Sequence, residues 1–204
     1  MSQCIIYFKY YIGVQLRMGK EIERKWLYNY QEFDIQYFLD IAHDYDLTYF
    51  DIRDHYFNKN CRLRHVKYDN YTQGEFFITI KSEGNLIRDE YEFAINRSEI
   101  DFLPTPVLVK RRYLFNDNNG LVYEVNFFRD LYIAPTIPLV LIELEMESPS
   151  LVIEPPHICG VEVTHDYGFY GYNLFSTMQE IRKRRIGKGN KKDNIIPFKR
   201  LDNK

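Results

Sequence analysis

The segment Glu21-Ile22-Glu23-Arg24-Lys25-Trp26 constrains the fold more than any other part of the chain. Read as a β-strand, it turns Glu21, Glu23 and Lys25 to one face and Ile22 and Trp26, with Arg24 between them, to the other. Ordinarily the apolar face of a strand looks to a core and the charged face to solvent. Here two carboxylates and an ammonium share a face, as in a site that holds a metal ion and an anion together. The inversion recurs. Arg62 and Arg64 share a face, Lys81 ends the apolar run 76–80, and Arg88, Glu90 and Glu92 alternate with Asp89, Tyr91 and Phe93. Lys110 and Arg112 share a face, as do Glu124 and Asn126, and Glu143 and Glu145 alternate with Ile142, Leu144 and Met146. One such strand is a solvated surface. Seven leave seven apolar faces that need cover. A closed antiparallel barrel with a charged interior and an apolar exterior under helices satisfies both demands. The expected class is α+β, with about eight strands forming a charged tunnel and helices packed outside.

The remaining pattern fills in the map. A first strand is expected near 20–27, with others near 47–53, 61–67, 75–81, 86–93, 107–115, 121–128 and 139–147. Residues 31–43 carry Phe33, Ile35, Phe38, Leu39 and Ile41 at helical spacing, and a last helix is expected near 173–184. Asp117-Asn118-Asn119-Gly120 is a hairpin turn signal. The stretches 129–138 and 148–157, each with prolines, read as loops. Neither an internal repeat nor a Gly-rich phosphate loop is present in the sequence.

Charge is uneven. Residues 182–204 hold ten Lys or Arg against Asp193 and Asp202, which leaves 17 basic and 27 acidic side chains in residues 1–181. An acidic body does not make a nucleic-acid surface. The basic end, with Gly187, Gly189, Asn190 and Pro197, reads as a disordered tail, and nucleic acid is a partner only through it. Seven of the 17 bases (Lys25, Arg62, Arg64, Lys81, Arg88, Lys110 and Arg112) fall on the proposed inner face. Cys4, Cys61 and Cys159 are scattered, with neither disulfide nor zinc spacing, so a cytoplasmic location is expected. No apolar run is long enough to span a membrane.

Taken in order, EIERKW, RLR, TIK, RDEYE, VKRRY, ELE and GVEVTHD with Tyr172-Asn173 resemble the CYTH superfamily, the triphosphate tunnel metalloenzymes. The resemblance runs from about residue 18 to about residue 184, in the family's motif order. Met18-Gly19-Lys20 stands where that family usually begins. Residues 1–17 are therefore expected to be an appendage or a start placed upstream of the true initiator, with a membrane-touching segment as the alternative. Residues 18–184 are expected to be the tunnel domain and 185–204 the tail.

The resemblance implies a hydrolase of a small-molecule triphosphate. Such a ligand needs several cations, and arginine's planar fork suits phosphate oxygens. Lys25, Arg62, Arg64, Lys81, Arg88, Lys110 and Arg112 are the expected substrate-binding set. Glu21, Glu23, Lys25, Glu143 and Glu145 are the expected catalytic set. The same four glutamates supply hard oxygen ligands for Mg²⁺ or Mn²⁺. Glu90 and Glu92 are read as partners of Arg88 or another tunnel base, and as ligands in the second place. Glu162 is read as a base partner and Thr164 as part of strand closure. Many relatives carry aspartate where this chain has Asn126. Asn brings no charge to a metal, so Glu124 or a water takes that part, or activity is reduced. The ends of the motif set look most like compact microbial tripolyphosphatases, with inorganic tripolyphosphate as the first substrate. The alternatives are a class IV adenylyl cyclase, a thiamine or nucleoside/RNA 5′-triphosphatase, and a non-catalytic module that binds triphosphorylated ligands.

Overall fold

The fold comes from a computed structural model that describes residues 17–68, 74–84, 86–100 and 106–188. Of the expected N-terminal extension only Arg17 is described, as the first residue of β1. Of the expected tail only residues 185–188 are described, and they continue the last helix. The rest of both ends lies outside the described residues.

Nine strands and two helices follow one another: β1 (Arg17–Tyr28), α1 (Ile35–Asp44), β2 (Tyr49–Asn58), β3 (Cys61–Tyr68), β4 (Glu75–Lys81), β5 (Ile87–Ile95), β6 (Leu108–Asn116), β7 (Val122–Ala134), β8 (Ile137–Glu145), β9 (Cys159–Glu162) and α2 (Gly171–Lys188). The sheet runs β5-β4-β3-β2-β6-β7-β8-β1, and β1 pairs again with β5, so eight antiparallel strands close into a barrel. β1 is the closing strand because it is long enough to serve two neighbours. Residues 17–22 pair with β5, setting Glu21 opposite Arg88. Residues 23–27 pair with β8, setting Lys25 opposite Glu143. β9 lies against the far end of β1.

α1 begins at Ile35, four residues later than the spacing 31–43 predicts, because the cap decides the start: Asp34 accepts the Tyr37 amide at 2.8 Å. Its buried Phe38 sits among the rings of Tyr28, Tyr113 and Phe127 on the outside of the barrel. There Trp26, Tyr123, Val125, Val140, Ile142 and Leu144 form the outer core. This is the helical cover that the apolar outer faces demanded.

One expectation is corrected. Residues 129–138 are not a loop: β7 runs to Ala134 and β8 starts at Ile137. The pairing shifts register between Phe127 and Tyr132, near Asp130, whose φ is +67°. An irregularity of this kind lets two strands continue past residues that break a regular ladder. Pro138 is accommodated opposite Tyr132 within the pair.

The interior is layered. Leu27 shares the inner face with Lys25, Leu141 with Glu143, Leu108 with Lys110, and Phe128 with Asn126. These four apolar side chains join Leu174, Phe175, Met178 and Ile181 of α2 in a buried cluster. α2 thus packs against one end of the barrel interior. The charged layer occupies the rest.

Candidate active site in the charged interior

The charged layer surrounds a cavity of about 290 Å³. Among the described residues nine carboxylates and eight bases line it. Glu21, Glu23, Lys25, Arg62, Arg64, Lys81, Arg88, Lys110, Arg112, Glu124, Glu143 and Glu145 all lie on its wall. Seven different strands therefore bring together the residues that alternation had placed on inner faces.

The side chains form pairs across strands. Lys25 Nζ lies 2.6 Å from Glu143 Oε1 and 2.7 Å from Glu23 Oε2. Arg88 bonds Glu21 through Nε and donates to Glu23 at 2.9 Å. Lys81 donates to both oxygens of Glu21, at 2.7 and 2.8 Å. Glu90 stands 3.4 Å from Lys81, so its base partner is Lys81, and Glu92 accepts from Thr79 at 2.9 Å. Arg112 donates to Asn126 at 2.8 Å and to Glu143 at 3.1 Å, and pairs with Glu124. The ring of Tyr170 lies 5.8 Å from Lys25 Nζ and 5.4 Å from the Arg88 guanidinium, adding a cation–π contact to each.

These pairs decide ionisation. Burial pushes the Glu21 carboxyl up, but Lys81 and Arg88 outweigh it and hold it well below the usual carboxylate range. Burial opposes ionisation of Glu143 too, and Lys25, Lys110 and Arg112 overcome it. Two lysines go the other way. Burial, reinforced by Arg112, pulls Lys110 well below the usual lysine range despite Glu143. Burial, reinforced by Arg88, lowers Lys81 despite Glu21. Among the described residues lining the cavity, Arg62 Nε is buried and makes no hydrogen bond. An orphaned guanidinium N–H in a cavity costs free energy unless an acceptor arrives.

A divalent ion needs oxygen ligands, and the wall offers them. Glu23 faces Glu145 and Glu143 faces Glu124 across neighbouring strands. Facing residues of this kind have Cβ atoms about 4.5–5.5 Å apart. As arranged, no three Asp, Glu, His or Cys side chains among the described residues cluster closely enough to hold a metal. Glu21, Glu23, Glu124 and Glu143 instead hold Lys25, Lys81, Arg88 and Arg112. Carboxylate oxygens are the donor type that Mg²⁺ or Mn²⁺ takes. Binding would release those four cations, which an arriving anion could then take.

Sequence reasoning missed Asp54 and the short strand β9. Asp54 of β2 is 2% exposed and grips Arg64 at 2.7 and 2.9 Å, with Arg62 at 3.6 Å. The expected strand stopped at residue 53. The signal was present, because Ile52, Asp54 and Tyr56 alternate. However, Arg53 and His55 put charge or polarity on the other face too, which blurred the period. β9 is four residues long, too short for periodicity to show. It carries Glu162, which bonds Arg24 through Nε at 2.9 Å and so is the partner of an outward base. Thr164 accepts the Lys25 amide at 3.0 Å and ties the β1 edge. Asn173 donates to Tyr167 O at 2.6 Å at the start of α2. Asn126 is wholly buried behind the cavity wall.

A closed eight-stranded barrel with a charged interior is the architecture that the sequence resemblance to the triphosphate tunnel proteins implies. The chain is similar to an inorganic triphosphatase of Nitrosomonas europaea, at 34% identity over 98 residues, which are 45% of this chain and 62% of that protein. The match thus spans less than two thirds of the relative's length. The crystal structures of the inorganic triphosphatase NE1496 and of the hypothetical protein NE1496 align at 25% and 26% identity over 76% of this chain. They cover 93% and 96% of those chains, each with a TM-score of 0.44. No protein-family model matches the chain. Among the described residues no helix is long and apolar enough to cross a membrane.

Proposed function

We propose that the chain is a divalent-metal-dependent hydrolase of linear triphosphates, with inorganic tripolyphosphate as its first substrate. The observation that carries this reading is the interior itself. Fold stability alone does not favour burying carboxylates and bases by the dozen, since desolvation cancels much of each pair's attraction. A cavity of paired opposite charges with one unsatisfied guanidinium donor suits a ligand that brings both signs. The likeness to a named inorganic triphosphatase supports the same substrate class.

Each group then has a part. Arg62, Arg64, Lys110 and Arg112 hold phosphate oxygens and fix the chain of phosphates in line. Lys25, Lys81 and Arg88 both bind phosphate and release Glu21, Glu23 and Glu143. Those three glutamates, with Glu145 and Glu124, are the residues that would hold Mg²⁺ or Mn²⁺. When bound, such an ion would supply charge neutralisation on the transferred group and a more acidic water. Asp54 keeps the forks of Arg62 and Arg64 aimed. We place this activity in the cytoplasm.

The test is a panel of tripolyphosphate, ATP, GTP, thiamine triphosphate and 5′-triphosphate RNA, each with Mg²⁺, Mn²⁺ or EDTA. Phosphate and cyclic nucleotide are both measured. Metal-dependent phosphate release, greatest on tripolyphosphate, is expected. Cyclic nucleotide as the main product would make the chain a cyclase. Tight binding without turnover would make it a binding module.

A further inference from the structure

Asn126 lies outside the cavity lining but touches two of its members, one of each sign. Its Oδ1 accepts from Arg112 Nε at 2.8 Å, and its Nδ2 donates to Glu143 Oε2 at 2.9 Å and to the Glu124 carbonyl at 3.1 Å. The partners fix the orientation of the amide. A guanidinium only donates and an ionised carboxylate only accepts, so the oxygen must face Arg112 and the nitrogen Glu143. Asn126 is 0% exposed, and these three bonds use its oxygen and both N–H groups.

A carboxylate at this position cannot do the same. It would still accept from Arg112, but it would stand against Glu143 Oε2 with no proton to donate. Two carboxylates at that distance repel, and the added charge would neutralise Arg112 from behind. A neutral amide holds the same Arg112 nitrogen without consuming its charge. The remaining Arg112 nitrogens face Glu124 and Glu143, the two side chains assigned to metal.

We propose that Asn126 is a positioning residue that sets the balance between anion and cation capture, anchoring Arg112 through Nε while leaving its charge available to a phosphate. This rests on the triphosphate reading. The amide biases the interior toward binding the anion even before a metal is present. Asparagine here is an adjustment of that balance, and it does not mark a lost site.

The test compares the full chain with N126D, which changes volume little. Calorimetry measures tripolyphosphate binding in EDTA and, separately, Mn²⁺ binding without phosphate. The expected result is opposite shifts: tripolyphosphate affinity falls about tenfold, as loss of one charge-assisted contact implies, while Mn²⁺ affinity rises. A purely structural role would weaken both or change neither, and either outcome overturns the proposal. If the unaltered chain itself fails to bind tripolyphosphate, the triphosphate reading falls and this proposal with it. If N126D does not fold, the unaltered chain still decides the matter by NMR of its arginine side chains. On adding tripolyphosphate in EDTA, the Arg112 Nε–H signal should stay protected from exchange while its Nη signals shift. Loss of Nε–H protection would contradict the anchor.

Discussion

Lys25 stands directly opposite Glu143 across β1 and β8, and its Nζ lies 2.6 Å from Glu143 Oε1. Both side chains are almost completely buried. A pair this deep makes the two strands that close the barrel also the two that carry the central charges of the cavity. Breaking it from one side leaves an uncompensated buried charge.

Glu143→Gln keeps volume and one acceptor oxygen but removes the charge. We expect the variant to fold with a lowered melting temperature, because Lys25, Lys110 and Arg112 lose their shared anion. Mn²⁺ affinity, measured by titration calorimetry, should drop, and turnover of tripolyphosphate should vanish. Unchanged Mn²⁺ affinity in both Glu143→Gln and Glu21→Gln would remove the glutamates from the metal site.

Asp54 offers a pH test. Burial raises its carboxyl, but Arg62 and Arg64 overcome this and hold it below the ordinary aspartate range. A depressed carboxyl contributes stability that is fully present above its unfolded pKa, about 3.9, and is lost as pH falls through the folded value. Asp54→Asn should therefore destabilise by about 3–5 kcal/mol at pH 7, the usual cost of stripping one partner from a buried pair. In urea melts the gap between parent and variant should narrow as pH drops below about 4. A gap that widens in acid would contradict the assignment.

Lys110 and Lys81 predict a proton uptake. Burial leads the causes that pull both below the usual lysine range, so an arriving anion favours their protonated forms. In alkaline buffer, tripolyphosphate binding in EDTA should take up protons, chiefly at Lys110. The apparent enthalpy should then differ between buffers of unlike ionisation heat. Lys110→Met should reduce the uptake. Identical enthalpies in all buffers would show that both lysines are already charged.

The closure by α2 is a packing claim. Leu174 and Met178 are each 1% exposed in the cluster that fills one end of the barrel. Either residue changed to Ala should cost about 2–5 kcal/mol in urea denaturation. A cost under 1 kcal/mol would mean that α2 is only loosely seated.

Alternation made the barrel legible. The charges of 21–25, 62–64, 88–92, 110–112 and 143–145 repeat at period two, and six of the eight expected strands lie within three residues of their expected spans, while β2 and β7 run five and six residues further. The same signal placed twelve residues on one cavity wall. It was silent where both faces of a strand are polar, as at Arg53-Asp54-His55, and where pairing is not regular, as after Phe127. Prolines at 135 and 138 read as a loop, yet a register shift and a short turn contain them. The apolar end of the interior was written in Leu27 and Leu141, which share faces with Lys25 and Glu143. Only closure of the barrel shows that α2, rather than solvent, meets them. Asn126 stood out in sequence as a missing charge. Its partners show an amide bridging a cation and an anion.

Arg111 and Arg112 are neighbours that face opposite ways. Arg111 bonds Asp51 on the outer surface at 2.8 Å, and Arg112 bonds Asn126 and Glu143 within. The most direct measurement is kcat/KM on tripolyphosphate for Arg111→Ala and Arg112→Ala, side by side with the parent. An exposed pair is worth under about 1 kcal/mol. A charge-assisted contact to phosphate is worth roughly 1.5–3 kcal/mol, about tenfold or more in rate. Arg112→Ala should therefore lose at least about tenfold, while Arg111→Ala stays within about twofold of the parent. Equal losses, or a larger loss at Arg111, would contradict the claim that the charged interior binds and cleaves a triphosphate.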